Sequence, residues 1–184
     1  MALKNNAILY YPEMGRAVLI GVVSDSHDNI YAIRKVAELF KRAGASLVIH
    51  AGDWVSPFSA KAFREALGQD VRILGVWGNN EGERLYFQKV SSQFGVEILG
   101  DAGSVEIGGV KIGVYHGTSP IIVESMVKSG LFDVVVYGHT HKLDVRRDGR
   151  TLVLNPGELC GYLTGRSTAV MLETDGLRAE VVEL

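Results

Sequence analysis

The sequence predicts an α/β fold: a single-domain, two-sheet αββα sandwich. Three observations predict it. The first half alternates short apolar runs with amphipathic helical stretches; the second half is divided by glycine-containing hairpin turns; and a chain of 184 residues is the size of one compact domain able to bury its own core.

Residues 17–23 form an apolar run closed by Ser24-Asp25, the pattern of a strand buried on both faces and followed by a turn. A helix over 29–43 follows, because Ile30, Ile33, Val36, Ala37 and Phe40 recur at spacings of three and four and Gly44 supplies a stop. The pattern then repeats. Residues 47–51 read as a strand ending in Gly52-Asp53, 57–67 as a helix stopped by Gly68, 71–77 as a strand ending in Gly78-Asn79, and 83–94 as a helix. Such alternation implies right-handed parallel crossovers, and sheets built that way place ligands beyond the C-terminal strand ends. Hairpins come next. Gly108-Gly109 joins 105–107 to 110–115, Asp148-Gly149 joins 143–147 to 150–154, and Asp175-Gly176 joins the last two strands. A helix over 121–129 and an apolar strand over 134–137 lie between them. Residues 1–16 read as a leader and 17–184 as the domain.

Composition narrows the class without naming a partner. Hydrophobic residues make up 47% and charged residues 22%, an ordinary globular balance, and the formal net charge of −2 offers no general attraction to nucleic acid or anionic membrane. The single Cys160 excludes an internal disulfide framework and reads as a small buried residue in a reducing compartment. No secretory signal or membrane-length apolar run is present, so the expected location is cytoplasmic. Exposed leader and apolar strands leave room for a homodimer.

Chemistry enters at the strand ends. Asp25-Ser26-His27 follows the first apolar strand, Asp53 the second, Asn79 the third, His116 the strand over 110–115, and His139-Thr140-His141 the strand over 134–137. If those ends share a rim, five loops deliver two Asp, one Asn and four of the five histidines into one cleft. Each short motif alone is an ordinary turn or cap. Two imidazoles two residues apart at a strand end are not, and they point to a metal. His50 lies inside its strand and reads as a buried or supporting residue. Imidazole mixed with carboxylate suits Mn, Fe, Ni, Co or Zn, and seven ligands suit two ions sharing one carboxylate better than one ion.

In these five ordered blocks, Asp25-Ser26-His27, Gly52-Asp53, Gly78-Asn79-Asn80-Glu81, His116-Gly117 and Gly138-His139-Thr140-His141, the chain resembles the calcineurin-like metallophosphoesterase superfamily. Its short length and Asn155-Pro156-Gly157 turn resemble the small bacterial and archaeal phosphodiesterase branch. The resemblance implies one divalent ion held by Asp25, His27, Asp53 and His141 and a second by Asp53, Asn79, His116 and His139. Asp53 would be the bridge, Asn79 a neutral oxygen ligand, and a bridging hydroxide the nucleophile. Asp53, Asn79 and His116 are therefore the expected catalytic residues.

The chain departs from the family pattern in two places. Asn80 stands where the larger family often has a histidine, and its expected role is to bind substrate, since an amide is no general acid. Trp54, Val55 and Ser56 follow Asp53 without a further ligand. Glu81 is expected to orient Asn79 or a ligand histidine. The predicted activity is hydrolysis of a phosphodiester, with nucleic acid entering only as a substrate. Phosphomonoester hydrolysis and a non-catalytic scaffold of the same fold are the alternatives, and the full ligand set argues against the scaffold. Arg84, Arg146, Arg147, Arg150 and Arg166 are the cations that could reach the cleft; Trp54, Trp77, Tyr86 and Tyr162 are read as core aromatics first and specificity residues second.

Overall fold

The computed structural model describes residues 9–10 and 17–184, so the expected leader lies outside the described residues apart from one two-residue strand. That strand, β1 (Leu9–Tyr10), pairs in parallel with Val105 and Glu106. In chain order there follow β2 (Leu19–Val23), α1 (Ile30–Ala43), β3 (Leu47–His50), α2 (Pro57–Leu67), β4 (Arg72–Gly75), α3 (Arg84–Gln93), β5 (Val96–Ile98), β6 (Ala102–Ile107), β7 (Val110–Tyr115), α4 (Pro120–Lys128), β8 (Val134–Val136), β9 (Leu143–Asp148), β10 (Thr151–Pro156), β11 (Thr168–Glu173) and β12 (Arg178–Glu183).

Among the described residues the strands form two six-stranded sheets, ordered β12-β11-β2-β3-β4-β5 and β1-β6-β7-β8-β10-β9. Strands β2 to β5 are mutually parallel, and so are β7, β8 and β10. Their C-terminal ends therefore gather on shared edges. Alternate residues of the central strands feed different cores, as period-two side chains must. Leu47 and Ile49 pack between the sheets, whereas Val48 packs with Ile33, Val36 and Phe40 of α1. On the far face Val127 of α4 meets Val135 and Val153. The two-sheet αββα sandwich expected from the sequence is thus present.

Local chemistry sets the helix ends. The side chain of Asn29 accepts from Ala32 N–H at the start of α1, and Gly44 closes it at φ 83°, a left-handed conformation that suits glycine. Ser56 caps α2, whose first residue is Pro57. The C-terminal ends of α2 and α3 share one device. Arg64, 7% exposed, donates from Nε to Phe94 O, from Nη1 to Gly68 O and Val71 O, and from Nη2 to Gly95 O. Replacing it by Met would leave four carbonyl groups short of donors, so Arg64→Met is expected to lower stability by about 3 kcal/mol in urea unfolding. A loss below about 1 kcal/mol would mean that water replaces the guanidinium at these helix ends.

Candidate metal centre

Every ligand candidate stands within five residues of the C-terminal end of a strand. The backbones there are unusual: Asp25 (φ 53°), His27 (φ 41°), Asp53 (φ 59°), His139 (φ 67°) and His141 (φ 59°) are all left-handed, as is Val55 (φ 76°). Non-glycine residues adopt this region at a cost of roughly 1–2 kcal/mol each, so something must hold them. Glu81 is one holder. Its carboxylate accepts from the backbone N–H groups of Gly78, Asp53, Trp54 and Val55, tying the β3 loop to the β4 loop. The sequence suggested that Glu81 orients a ligand side chain; it grips the backbone that presents Asp53 and Asn79. The motif glycines are required by closeness. A Cβ on Gly78 would overlap Asp53 Oδ1, and one on Gly138 would overlap Ser24 Oγ.

His50 is a second holder. Its Nδ1 accepts from Gly52 N–H at 3.1 Å, which leaves Nε2 carrying the proton that Ser26 Oγ accepts at 2.9 Å. The ring stacks on Trp54 at 3.7 Å. Burial, with the His116 charge nearby, pushes its pKa well below the usual histidine value. One neutral imidazole thus links the residue between Asp25 and His27 to the residue before Asp53.

The donor atoms of Asp25, His27, Asp53 and His141 all lie within 4.8 Å of one another. His27 Nε2 stands 3.4 Å from Asp53 Oδ2 and 3.9 Å from Asp25 Oδ1, and His141 Nε2 stands 3.3 Å from Asp25 Oδ1. The other oxygen of Asp53, Oδ1, faces His116 Nε2 at 3.3 Å, and that nitrogen is 3.0 Å from Asn79 Oδ1. Asp53 therefore has one oxygen in each group. His139 sits beside His116, their rings 5.3 Å apart, and its backbone N–H donates to Asp25 Oδ2. Asn80, assigned from the sequence to substrate, donates from its backbone N and its side-chain Nδ2 to the two oxygens of Asp53.

The donor chemistry fits divalent cations. Asp25 Oδ1 and His27 Nε2 are buried and have no hydrogen-bond partner among the described residues. His116 Nδ1 donates to Ala51 O at 2.7 Å, and His141 Nδ1 donates to Glu158 Oε2 at 2.6 Å, so in each neutral ring the lone pair is on Nε2, turned toward a carboxylate. Lone pairs facing carboxylates at 3.3 Å call for a cation or a proton between them. Without metal, the protons are unevenly held. Burial raises the pKa of Asp25 against the pull of His116 and His141. Burial also works to raise Asp53, but the His116 hydrogen bond and charge, with Asn80, win and hold it well below the usual carboxylate range. His116 is raised by Asp53 and Asp25 in spite of its burial.

Glu158 was not among the residues singled out from the sequence. It accepts from His141 and from Leu163 N, Thr164 N and Thr164 Oγ1; burial opposes its ionisation, yet these bonds lower its pKa to about 2. The available signal was one acid enclosed by Gly157 and Leu159 in an otherwise uncharged stretch from Leu152 to Cys160. Cys160 is buried as expected, with Sγ within 4.8 Å of donor atoms of His27 and His141; burial, with Glu158 beside it, pushes its thiol up to about 12. Of the arginines, Arg84 reaches Gly78 O, whereas Arg147 binds Leu177 O, Arg150 binds Gly130 O and Arg166 pairs with Glu183. Trp54 and Trp77 are core residues; Tyr86 and Tyr162 are exposed. An open cleft of about 480 Å³ lies over the site, lined by His27, Val55, Asn79, Asn80, Glu81 and Gly82.

A two-sheet sandwich with a carboxylate–imidazole cluster at its gathered strand ends defines a metallophosphoesterase-type protein. The model of the calcineurin-like phosphoesterase superfamily domain matches residues 18–177, and the chain belongs to that superfamily. It is 42% identical over 157 residues to a phosphodiesterase of Methanocaldococcus jannaschii, covering 85% of this chain and 93% of that one. A solved archaeal phosphodiesterase superposes with a TM-score of 0.85 at 39% identity, covering 91% of this chain and all of that one. An E. coli phosphoesterase has the same fold, with a TM-score of 0.64 at 21% identity and coverage of 90% and 98%. Among the described residues, no helix is long and apolar enough to cross a membrane.

Proposed function

We propose that this protein is a phosphodiesterase that works through two divalent metal ions. The observation that carries the reading is the division of Asp53, whose Oδ2 faces His27 and whose Oδ1 faces His116. Asp25, His27, Asp53 and His141 would hold one ion, and Asp53, Asn79, His116 and His139 the other. When bound, such ions supply Lewis-acid polarisation of the phosphoryl oxygens and a lowered pKa for attacking water.

The chain's own residues set the rest. Ala51 O and Glu158 fix the tautomers of His116 and His141, so both Nε2 atoms stay available without rearrangement. Asn80 steadies Asp53 from two sides, and its amide is far too weak an acid to protonate a leaving alkoxide. Esters with acidic leaving alcohols should therefore react fastest. The similarity to archaeal phosphodiesterase, in sequence and in structure, supports the diester as substrate.

The test is hydrolysis of bis-p-nitrophenyl phosphate beside p-nitrophenyl phosphate, after chelation and after adding back Mn, Ni, Co, Fe or Zn. The expected outcome is loss of diester hydrolysis on chelation, recovery with metal, and slow turnover of the monoester. Faster turnover of the monoester would make the protein a phosphomonoesterase. No turnover of either ester by folded, metal-loaded protein would favour the scaffold.

A further inference from the structure

A second cavity, of about 410 Å³, opens beside the candidate metal centre. Gly117 and Thr140 line it, and these residues follow His116 and separate His139 from His141, so its rim is continuous with two ligand loops. Its volume is within the usual range of small-molecule sites, roughly 300–1,000 Å³. One wall is the apolar side of α4, Pro120, Val123 and Val127. The opposite wall carries Tyr137, whose hydroxyl donates to Asp144, and Arg146, whose Nε pairs with Asp144 at 3.0 Å.

Charge around the cavity is balanced. Lys128 and Arg146 stand against Glu124 and Asp148, and Lys128 is already paired with Asp148 at 2.7 Å. A second phosphate would find no surplus of positive charge there. Arg146 is ion-paired through Nε with Asp144, but among the described residues neither its terminal nitrogens nor the carboxylate of Glu124 makes a hydrogen bond. A planar donor edge and an acceptor beside an aliphatic wall suit a ring with hydrogen-bonding atoms on its edge. A plain alkyl group would bury both without a partner, at a cost in affinity.

We propose that this cavity receives one ester alcohol of the substrate, and that this alcohol is a nucleoside. Its ring face lies against Val123 and Val127, and its heteroatom edge meets Arg146 and Glu124. The inference rests on the phosphodiesterase reading and adds the substrate class to it.

The experiment compares two diesters with the same leaving group, thymidine 5′-(p-nitrophenyl phosphate) and methyl p-nitrophenyl phosphate, on metal-loaded protein. The wild type is expected to prefer the thymidine ester about tenfold or more in kcat/KM. Glu124→Trp fills the cavity from an exposed helical position, and should lower kcat/KM for the thymidine ester about 30-fold while changing the methyl ester by about twofold or less. Arg146→Ala, also at an exposed position, should raise KM for the thymidine ester alone, about tenfold. Equal effects on the two esters, or turnover of both without preference in the wild type, would overturn the assignment of the cavity and leave the phosphodiesterase reading intact. Turnover of neither ester by the wild type would overturn the phosphodiesterase reading, and the cavity assignment with it.

Discussion

Asp53→Asn is expected to lower diester hydrolysis about 10⁴-fold while leaving the protein folded, because Lewis-acid stabilisation of several kcal/mol is at stake. The substitution keeps the shape of a buried side chain and removes its charge. Geometry fixes how the amide would sit. The backbone N–H of Asn80 points at Oδ1 and cannot turn, so the amide oxygen belongs there and the NH2 group takes the place of Oδ2. That place is 3.4 Å from His27 Nε2 and bonded to Asn80 Nδ2, whose own amide can rotate to present oxygen. The group formed by Asp25, His27 and His141 would thus lose its shared oxygen first. Metal content of the variant should fall to one ion per chain or fewer, measured after dialysis against a saturating metal buffer. Retention of full metal content together with full activity would remove Asp53 from the proposed bridging role.

Most of this architecture was legible in the sequence because its signals are local. The period of α1, the Pro57 start and Gly68 stop of α2, and the turn dipeptides each belong to one segment, and the elements appear there within a few residues of the expected bounds. The edge strand β5 was missed: three residues are too few to carry a period. The candidate ligands could be grouped from the sequence for a different reason. Strand ends in parallel sheets gather on one edge, so polar residues recurring at five such ends imply a meeting point that no single motif establishes. His50 and Glu81 were legible as supporting residues, but the groups they hold were not, because those partners are distant in sequence. Glu81 grips backbone 26–28 positions earlier, and His50 reaches Ser26 across 24 positions. A carboxylate that binds N–H groups carries no pattern of its own. The left-handed backbones of Asp25, His27, Asp53, His139 and His141 belong to the same class: local propensity disfavours them, and only the packed loops explain them.

Glu158→Gln is the second substitution with a large expected effect, and it acts at one remove. Glu158 Oε2 accepts the Nδ1 proton of His141 at 2.6 Å, which keeps the Nε2 lone pair directed at the group containing Asp25. A glutamine at this position must also satisfy Leu163 N–H and Thr164 N–H with its single oxygen, so its NH2 group would face His141 Nδ1. The imidazole would then accept at Nδ1 and carry its proton on Nε2, the nitrogen needed for a metal. Metal affinity should fall roughly 10–100-fold, as it does when the outer partner of a ligand histidine is lost. Titration of the chelated protein with Zn reads this directly. The same substitution should change acid stability. The folded-state pKa of Glu158 is depressed from 4.5 to about 2, so its contribution is fully present above about pH 4.5 and is lost as pH falls toward about 2. Urea unfolding of the metal-free protein across that window should show a shallower loss of stability with acid in Glu158→Gln than in the wild type. Unchanged Zn affinity with a flattened acid profile would assign Glu158 to the Leu163–Thr164 loop alone. Changes in both would establish that one buried carboxylate holds the loop and sets the tautomer of His141.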